Sequence, residues 1–251
     1  MHATLLTLML MTVAFIAGVQ NALAGGGSFL TFPALMVFGM GARAANITST
    51  VALFPGQLAT GWAGRRHVSG AEGLKFRALA LISLAGGAVG ALLLLATPES
   101  FFQHLVPFLV LFATAVFAWG SFFRRGGGQG TRLSPPAAAA AQFGIAIYGG
   151  YFGGGIGMLM LAALTLAGLP VHTAGATKNV LAGVMNASAV LIFCFSHDVH
   201  WPAALATAVG AIAGGQAGAW LMFRVNEKAL RVAVVGIGLA LTVGLFVKAY
   251  W

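Results

Sequence analysis

The chain has 251 residues, 59% of them hydrophobic and only 7% charged, with 36 glycines and a formal charge of +9. A water-soluble domain carries roughly 25% charged residues, so this composition excludes a water-facing surface and requires lipid. The basic excess does not indicate nucleic-acid binding, because Lys and Arg form short clusters between apolar runs with no interleaved aromatics; orientation in a bilayer and contact with lipid headgroups account for it.

A spanning helix needs about 20 apolar residues, so roughly eight to ten segments fit in this length. The first is residues 4–23, and the stretch Met1 to Ala24 imitates a secretory signal with Ala22-Leu23-Ala24 as a cleavage-like site. No Lys or Arg precedes it, however, and it has a counterpart later in the chain. It is therefore read as part of the mature protein. Segments 28–39, 43–63, 74–96 and 101–123 follow. A basic, Gly-rich linker, 124–136, ends in Pro135-Pro136, which stops any helix running through it. Beyond the linker come segments 137–152, 155–168, 172–196, 201–223 and 229–249.

The two series repeat. At a constant offset of 128, Phe15 meets Phe143 and Gly25-Gly26-Gly27 meets Gly153-Gly154-Gly155. At the same offset Ala85-Gly86-Gly87 meets Ala213-Gly214-Gly215, Gly90-Ala91 meets Gly218-Ala219, Glu99 meets Glu227 and Thr114 meets Thr242. One glycine match means little in this composition, but an ordered series does, and internal duplication is a signature of secondary transporters. The halves are thus 1–123 and 137–251. In each, a triple glycine precedes a segment too short to span: the twelve residues 28–39 give roughly 18 Å of helix against a hydrocarbon core of about 30 Å. Such a broken or re-entrant element is tolerated at membrane depth only under cover of protein or beside a water-filled cavity. Sequence leaves open whether 28–39 and 155–168 cross fully or re-enter.

Charge sets the expected orientation. Arg65, Arg66, Lys75 and Arg77 share the loop between the third and fourth segments, and Arg124, Arg125 and Arg132 fall on the same face two spans later. In the second half the corresponding loop, 196–200, has no Lys or Arg, whereas Arg224, Lys228 and Arg231 surround the next one. The positive-inside rule then relates the halves by inversion, with ten of the 13 basic residues inside, Arg43, Lys248 and both termini outside, and Lys178 in the membrane. The expected fold is an all-α polytopic membrane protein of two inverted-topology repeats.

The run Gly25-Gly26-Gly27-Ser28-Phe29-Leu30-Thr31-Phe32-Pro33, with Ala45-Asn46-Ile47-Thr48-Ser49-Thr50 after it, resembles the first half of the sulfite exporter TauE/SafE family. Gly153-Gly154-Gly155-Ile156-Gly157, followed by Ala174-Gly175-Ala176-Thr177-Lys178-Asn179, is similar to that family's second repeat. The resemblance covers nearly the whole chain. It implies a multi-pass permease of a bacterial-type cytoplasmic (inner) membrane, with no cofactor, moving sulfite, an organosulfonate or a related sulfur anion; export is implied by the resemblance alone.

Lys178 is the most informative residue. It lies six positions past His172, roughly 9 Å along a helix, in an otherwise apolar segment. A charge there costs several kcal/mol unless it pairs, reaches a cavity or snorkels. The four acids, Glu72, Glu99, Asp198 and Glu227, all lie at loops or segment ends, so an anionic substrate is the missing partner. Asn46, Thr48, Ser49 and Thr50 cluster at the start of one helix, and Thr177 and Asn179 flank Lys178 in the equivalent stretch. Such donors beside a helix N-terminus suit oxyanions, and Gly26, Gly27, Ser28, Gly154 and Gly155 would let backbone approach the ligand. Inversion would bring both sets together near the midplane, where transporters of this build bind substrate.

Other polar groups, namely Gln20, Asn21, Gln57, Tyr148, Asn186 and Gln216, read as helix–helix glue. His172 reads as interfacial, although its ordinary pKa would suit proton gating. His197 and His200 flank Asp198 but lack further metal ligands, and the single Cys194 excludes a disulfide or a CxxC motif. No catalytic or metal site is expected, and no P-loop couples the chain to ATP. The leading function is an alternating-access carrier of a small sulfur oxyanion or organosulfonate, with coupling to a proton or another ion left open. The alternative is an uptake permease or channel-like facilitator for sulfate, thiosulfate or another small anion.

Overall fold

The computed structural model describes residues 2–23, 26–71, 73–123, 133–221 and 227–251. The linker core at 124–132, together with Gly25, Glu72 and Arg224, lies outside the described residues. The described chain is almost wholly helical, with ten α-helices: α1 (His2–Leu23), α2 (Ser28–Val37), α3 (Ala42–Gly64), α4 (Phe76–Ala96), α5 (Glu99–Ala118), α6 (Pro135–Tyr151), α7 (Ile156–Leu166), α8 (Val171–Cys194), α9 (Trp201–Leu221) and α10 (Glu227–Tyr250). Four segments, Phe76–Ala96, Glu99–Ala118, Val171–Cys194 and Arg231–Tyr250, are long and apolar enough to cross a membrane. Leu81, Leu191 and Val243 are each more than 60% exposed along such helices, an outer surface suited to acyl chains rather than water.

Sequence dictates where the helices stop. Pro135 and Pro136 occupy the first turn of α6, where a missing N–H costs nothing. The short α2 and α7 end alike. Gly39 and Gly168 both adopt φ of +92°, and the next residues donate back into the helix, Met40 N–H to Leu35 O and Leu169 N–H to Leu164 O. This closure satisfies the last carbonyls through a left-handed residue that glycine adopts without strain. At ten and eleven residues, the two helices reach only about 15–17 Å, half of a hydrocarbon core.

The residues form two compact units, and helices of both halves enter each. One comprises Met1–Gly56, Thr97–Ala115 and Phe193–Trp251; the other comprises Gln57–Ala96 and Val116–Ile192. The first is built on α1 packed along α9, the second on α6 packed along α4. In both pairs glycine brings backbone against backbone. A Cβ on Gly214 would run into the carbonyl oxygen of Phe15, and one on Gly86 would meet that of Phe143 at 3.0 Å. The sequence coincidences Phe15/Phe143 and Gly86/Gly214 are therefore each other's contacts, exchanged between halves. The second unit's core combines Leu79 of α4, Ala146 of α6, Ile156, Met160 and Leu164 of α7, and Leu181 and Met185 of α8.

A clasp ties one end of the first unit. Both Glu99 carboxylate oxygens accept the Arg43 backbone N–H at 3.2 Å, capping the start of α3. The Arg43 guanidinium donates to Thr97 O at 2.8 Å and pairs with Asp198 at 3.2 Å. Arg43, expected on the outer side at the start of segment 43–63, thus joins the α3 start to the α4–α5 and α8–α9 turns.

Valine at Gly86 or Gly214 is expected to destabilise the purified protein by about 1–3 kcal/mol through overpacking. The control is Gly244→Ala in α10, where a Cβ meets nothing within 4 Å; it should be neutral or slightly stabilising. Thermal unfolding in detergent measures both, and equal effects at the three positions would discount the backbone contacts.

Candidate functional site

Lys178 projects from α8 towards the head of α7. Its Nζ donates to Asn179 Oδ1 at 3.0 Å, and a Cβ placed on Gly157 would lie 3.5 Å from that Nζ. The ammonium therefore sits beside the first turn of α7. That turn has no side-chain cap, and Gly155 before it is left-handed at φ +74°. Gly153 is also left-handed, at +82°, and Gly154 and Gly155 are buried. First-turn amides of a helix lack internal acceptors and together carry about half a positive charge. A second positive group beside them is repulsive unless an anion lies between. Helices α6, α7 and α8 contain no Asp or Glu, and the described residues of this unit include no carboxylate side chain.

Thr177 has a different task. Its hydroxyl accepts the Ser69 N–H at 3.1 Å and anchors the chain that leads into α4. Thr48 does the same in the first unit, accepting the His200 N–H at 3.2 Å before α9 begins. The matching closures at Gly39 and Gly168 move the correspondence between halves from 128 to 129 at the starts of α3 and α8, because α7 is one residue longer than α2. Thr48 thus corresponds to Thr177, Ser49 to Lys178 and Thr50 to Asn179.

The first unit fills the lysine's position without charge. Ser49 Oγ and Thr31 Oγ1 share a 2.6 Å hydrogen bond, both fully buried, and Thr31 also donates to Gly27 O at 3.3 Å. The turn into α2 is stitched from α1: Gln20 Nε2 donates to Gly26 O at 3.2 Å, and Asn21 Oδ1 accepts the Gly27 N–H at 3.4 Å. Gly27 is needed for approach, since a Cβ there would stand 2.9 Å from Ala17 O. Thr50 bonds its own helix at Asn46 O, 2.9 Å. Asn46 is buried within α3, and Ser28 opens α2 half-buried.

Of the residues expected at the site, the second unit brings together Gly154, Gly155, Lys178 and Asn179, while the first joins Gly27 and Ser49. Sequence reasoning missed Thr31 and Gly157, both of which lie inside the glycine-rich motifs it quoted. It treated Gln57 and Asn186 as glue, and they do bond each other, Asn186 Nδ2 donating to Gln57 Oε1 at 2.5 Å.

A helical bundle with this apolar surface belongs in a bilayer: the class is a multi-pass membrane protein. The chain belongs to the sulfite exporter TauE/SafE family, whose family model matches residues 10–245. It is similar to the probable membrane transporter protein ORF9 of Sinorhizobium sp, 33% identical over 241 residues covering 94% of this chain and 90% of that protein. A probable membrane transporter protein of Haemophilus influenzae is 26% identical, covering 96% of this chain and 95% of its own length. The probable membrane transporter protein YfcA of Escherichia coli K12 is 27% identical across 100% of this chain and 93% of its own length. No solved structure matches the chain significantly. The family and these relatives are transporters rather than enzymes, so no catalytic role is assigned to the site.

Because an L side chain in the left-handed region costs about 1–2 kcal/mol, Gly155→Ala should lower stability by that amount. It should also weaken any ligand held at the α7 amides. Gly144→Ala, at an open position in α6, should do neither. Melting curves with and without added anion check the pair.

Proposed function

We propose that this protein is a secondary transporter of a small sulfur-containing oxyanion or organosulfonate, and that the anion binds between the Lys178 ammonium and the head of α7. The observation that carries the reading is the Nζ of Lys178 beside the uncapped first turn of α7, in a set of helices without a carboxylate. Both partners are positive and the half-buried lysine stands among apolar helices, so a bound anion relieves a repulsion and part of a desolvation penalty together. Lys178 supplies the charge, the amides at Gly155 to Gly157 supply directed donors, and Asn179 holds the amine in place. The family name supports sulfite-like cargo and outward transport, and the relatives' names support transport without naming a cargo.

Alternating access between two inverted repeats, in a bacterial cytoplasmic membrane, is the transport mode that fits the charge pattern and the matched structural positions in the two halves. Gly26, Gly27, Ser28, Asn46, Thr48, Ser49 and Thr50 are the first repeat's counterpart of this arrangement. Its polar groups already bond one another or the adjoining loops, so the charged half dominates affinity.

Lys178→Met separates this reading from a structural lysine by opposite signs. Without anion the variant should be more stable than wild type by about 1–4 kcal/mol, as expected when a poorly compensated buried charge becomes apolar. With sulfite, thiosulfate or sulfoacetate the ligand-induced rise in melting temperature should disappear, along with flux in proteoliposomes. A variant that still binds and transports like wild type would remove Lys178 from the mechanism. Counterflow of labelled anion distinguishes a carrier from a channel-like facilitator.

A further inference from the structure

The second unit holds an unfinished hydrogen-bond pair two turns along α8 from Lys178. Asn186 is 3% exposed. Its Nδ2 bonds Gln57 Oε1 from α3, while its buried Oδ1 has no partner. The deficit does not depend on how the amides are drawn, because turning both over pairs the Asn186 oxygen and orphans its nitrogen instead. A buried amide atom left unpaired costs about 1–3 kcal/mol, so simple interhelical glue accounts for only half of this side chain.

The surroundings point towards a ligand. Asn179, Gly183 and Asn186 are spaced at i, i+4 and i+7, so they line one face of α8 over roughly 10 Å. Gly183 is buried, yet a Cβ built on it meets no atom within 4 Å. The interior is therefore open between the two asparagines. On α3, Gly61 lies against the Asn179 backbone, with a built Cβ 3.4 Å from its carbonyl oxygen, and Gln57 sits one turn earlier, opposite Asn186. The result is a short polar lane that has a charge at one end and a neutral amide pair at the other.

We infer that Gln57 and Asn186 form a second, uncharged station for the transported oxyanion, one step along its path from Lys178. The inference rests on the anion site proposed above and extends it. An oxyanion with several acceptor oxygens can exchange the lysine for amide donors without becoming bare. Where it also carries a proton, the free Asn186 Oδ1 is there to accept the hydrogen bond it donates. A neutral station binds more weakly than the lysine, so it governs the rate of passage more than equilibrium affinity.

Two measurements on Gln57→Met and Asn186→Leu, with Lys178→Met beside them, test this: the anion-induced melting shift in detergent and exchange flux in proteoliposomes, using sulfite, thiosulfate and sulfoacetate in turn. In the two amide variants the anion concentration for half-maximal shift should stay within twofold of wild type, while flux falls at least tenfold. Flux within twofold of wild type in either folded variant overturns the station. If wild type gives neither shift nor flux with any of the anions, or Lys178→Met behaves as wild type, the parent reading fails instead. Should both amide variants fail to fold, Gly183→Cys in a Cys194→Ser background decides, since that position has room for a side chain. Sulfonatoethyl methanethiosulfonate should modify it and the transported anion should slow the reaction; a folded variant that resists modification, or that reacts at an unchanged rate, overturns the proposal.

Discussion

Peptide groups in hydrocarbon have no water to turn to, and every helix that ends inside the bilayer must find other partners for its first amides and last carbonyls. Helices α2 and α7 are too short to carry their ends out to the interface. Their C-terminal ends are closed by a left-handed glycine that returns the chain's own N–H groups to the carbonyls. At the heads the solutions diverge. The turn into α2 is held by Gln20 and Asn21, and Thr31 and Ser49 bond beside it. The head of α7 has no such side chains and faces a lysine instead. Open donors thus stand beside a cation that has an amide oxygen but no carboxylate among the described residues of its unit, and the proposed anion site rests on that pairing.

The two halves share a scaffold and differ in one functional respect. Thr48 and Thr177 do the same work, each anchoring the loop that feeds a long helix. One residue further on, Ser49 is neutral and satisfied whereas Lys178 is charged and only partly satisfied. On the function proposed above, this single position distinguishes a structural junction from a binding one.

Much of this was legible in the sequence. The alternation of apolar runs and breaks gave helix limits within a few residues of those observed, since glycine and proline act locally. Lys178 stood out because charge in an apolar run has few benign explanations. The threonines were harder to read: donors at a helix start look alike whether they meet a ligand or a neighbouring loop, and only the chain's return at Ser69 and His200 decides. A gapless comparison could not register that α7 is one residue longer than α2, and so it set Lys178 against Thr50 rather than Ser49. Gln57 and Asn186 were seen as polar, but an unfilled hydrogen bond is a property of three-dimensional surroundings and leaves no trace in composition. Arg43 fell on the exterior as an exception to the topology that the other basic residues set, with no sign in the sequence that Glu99 and Asp198 would meet it.

The exchange of helices between halves, α1 lying along α9 and α4 along α6, bears on how the polypeptide is made. As the chain leaves the ribosome, α4 waits only for α6, and the unit around them is complete once α8 has emerged. The amino-terminal helix must wait far longer, because its glycine-lined partner is among the last segments synthesised. For most of translation its packing face is turned to lipid or to the insertion machinery. Helix α1, made before α4, is thus settled after it.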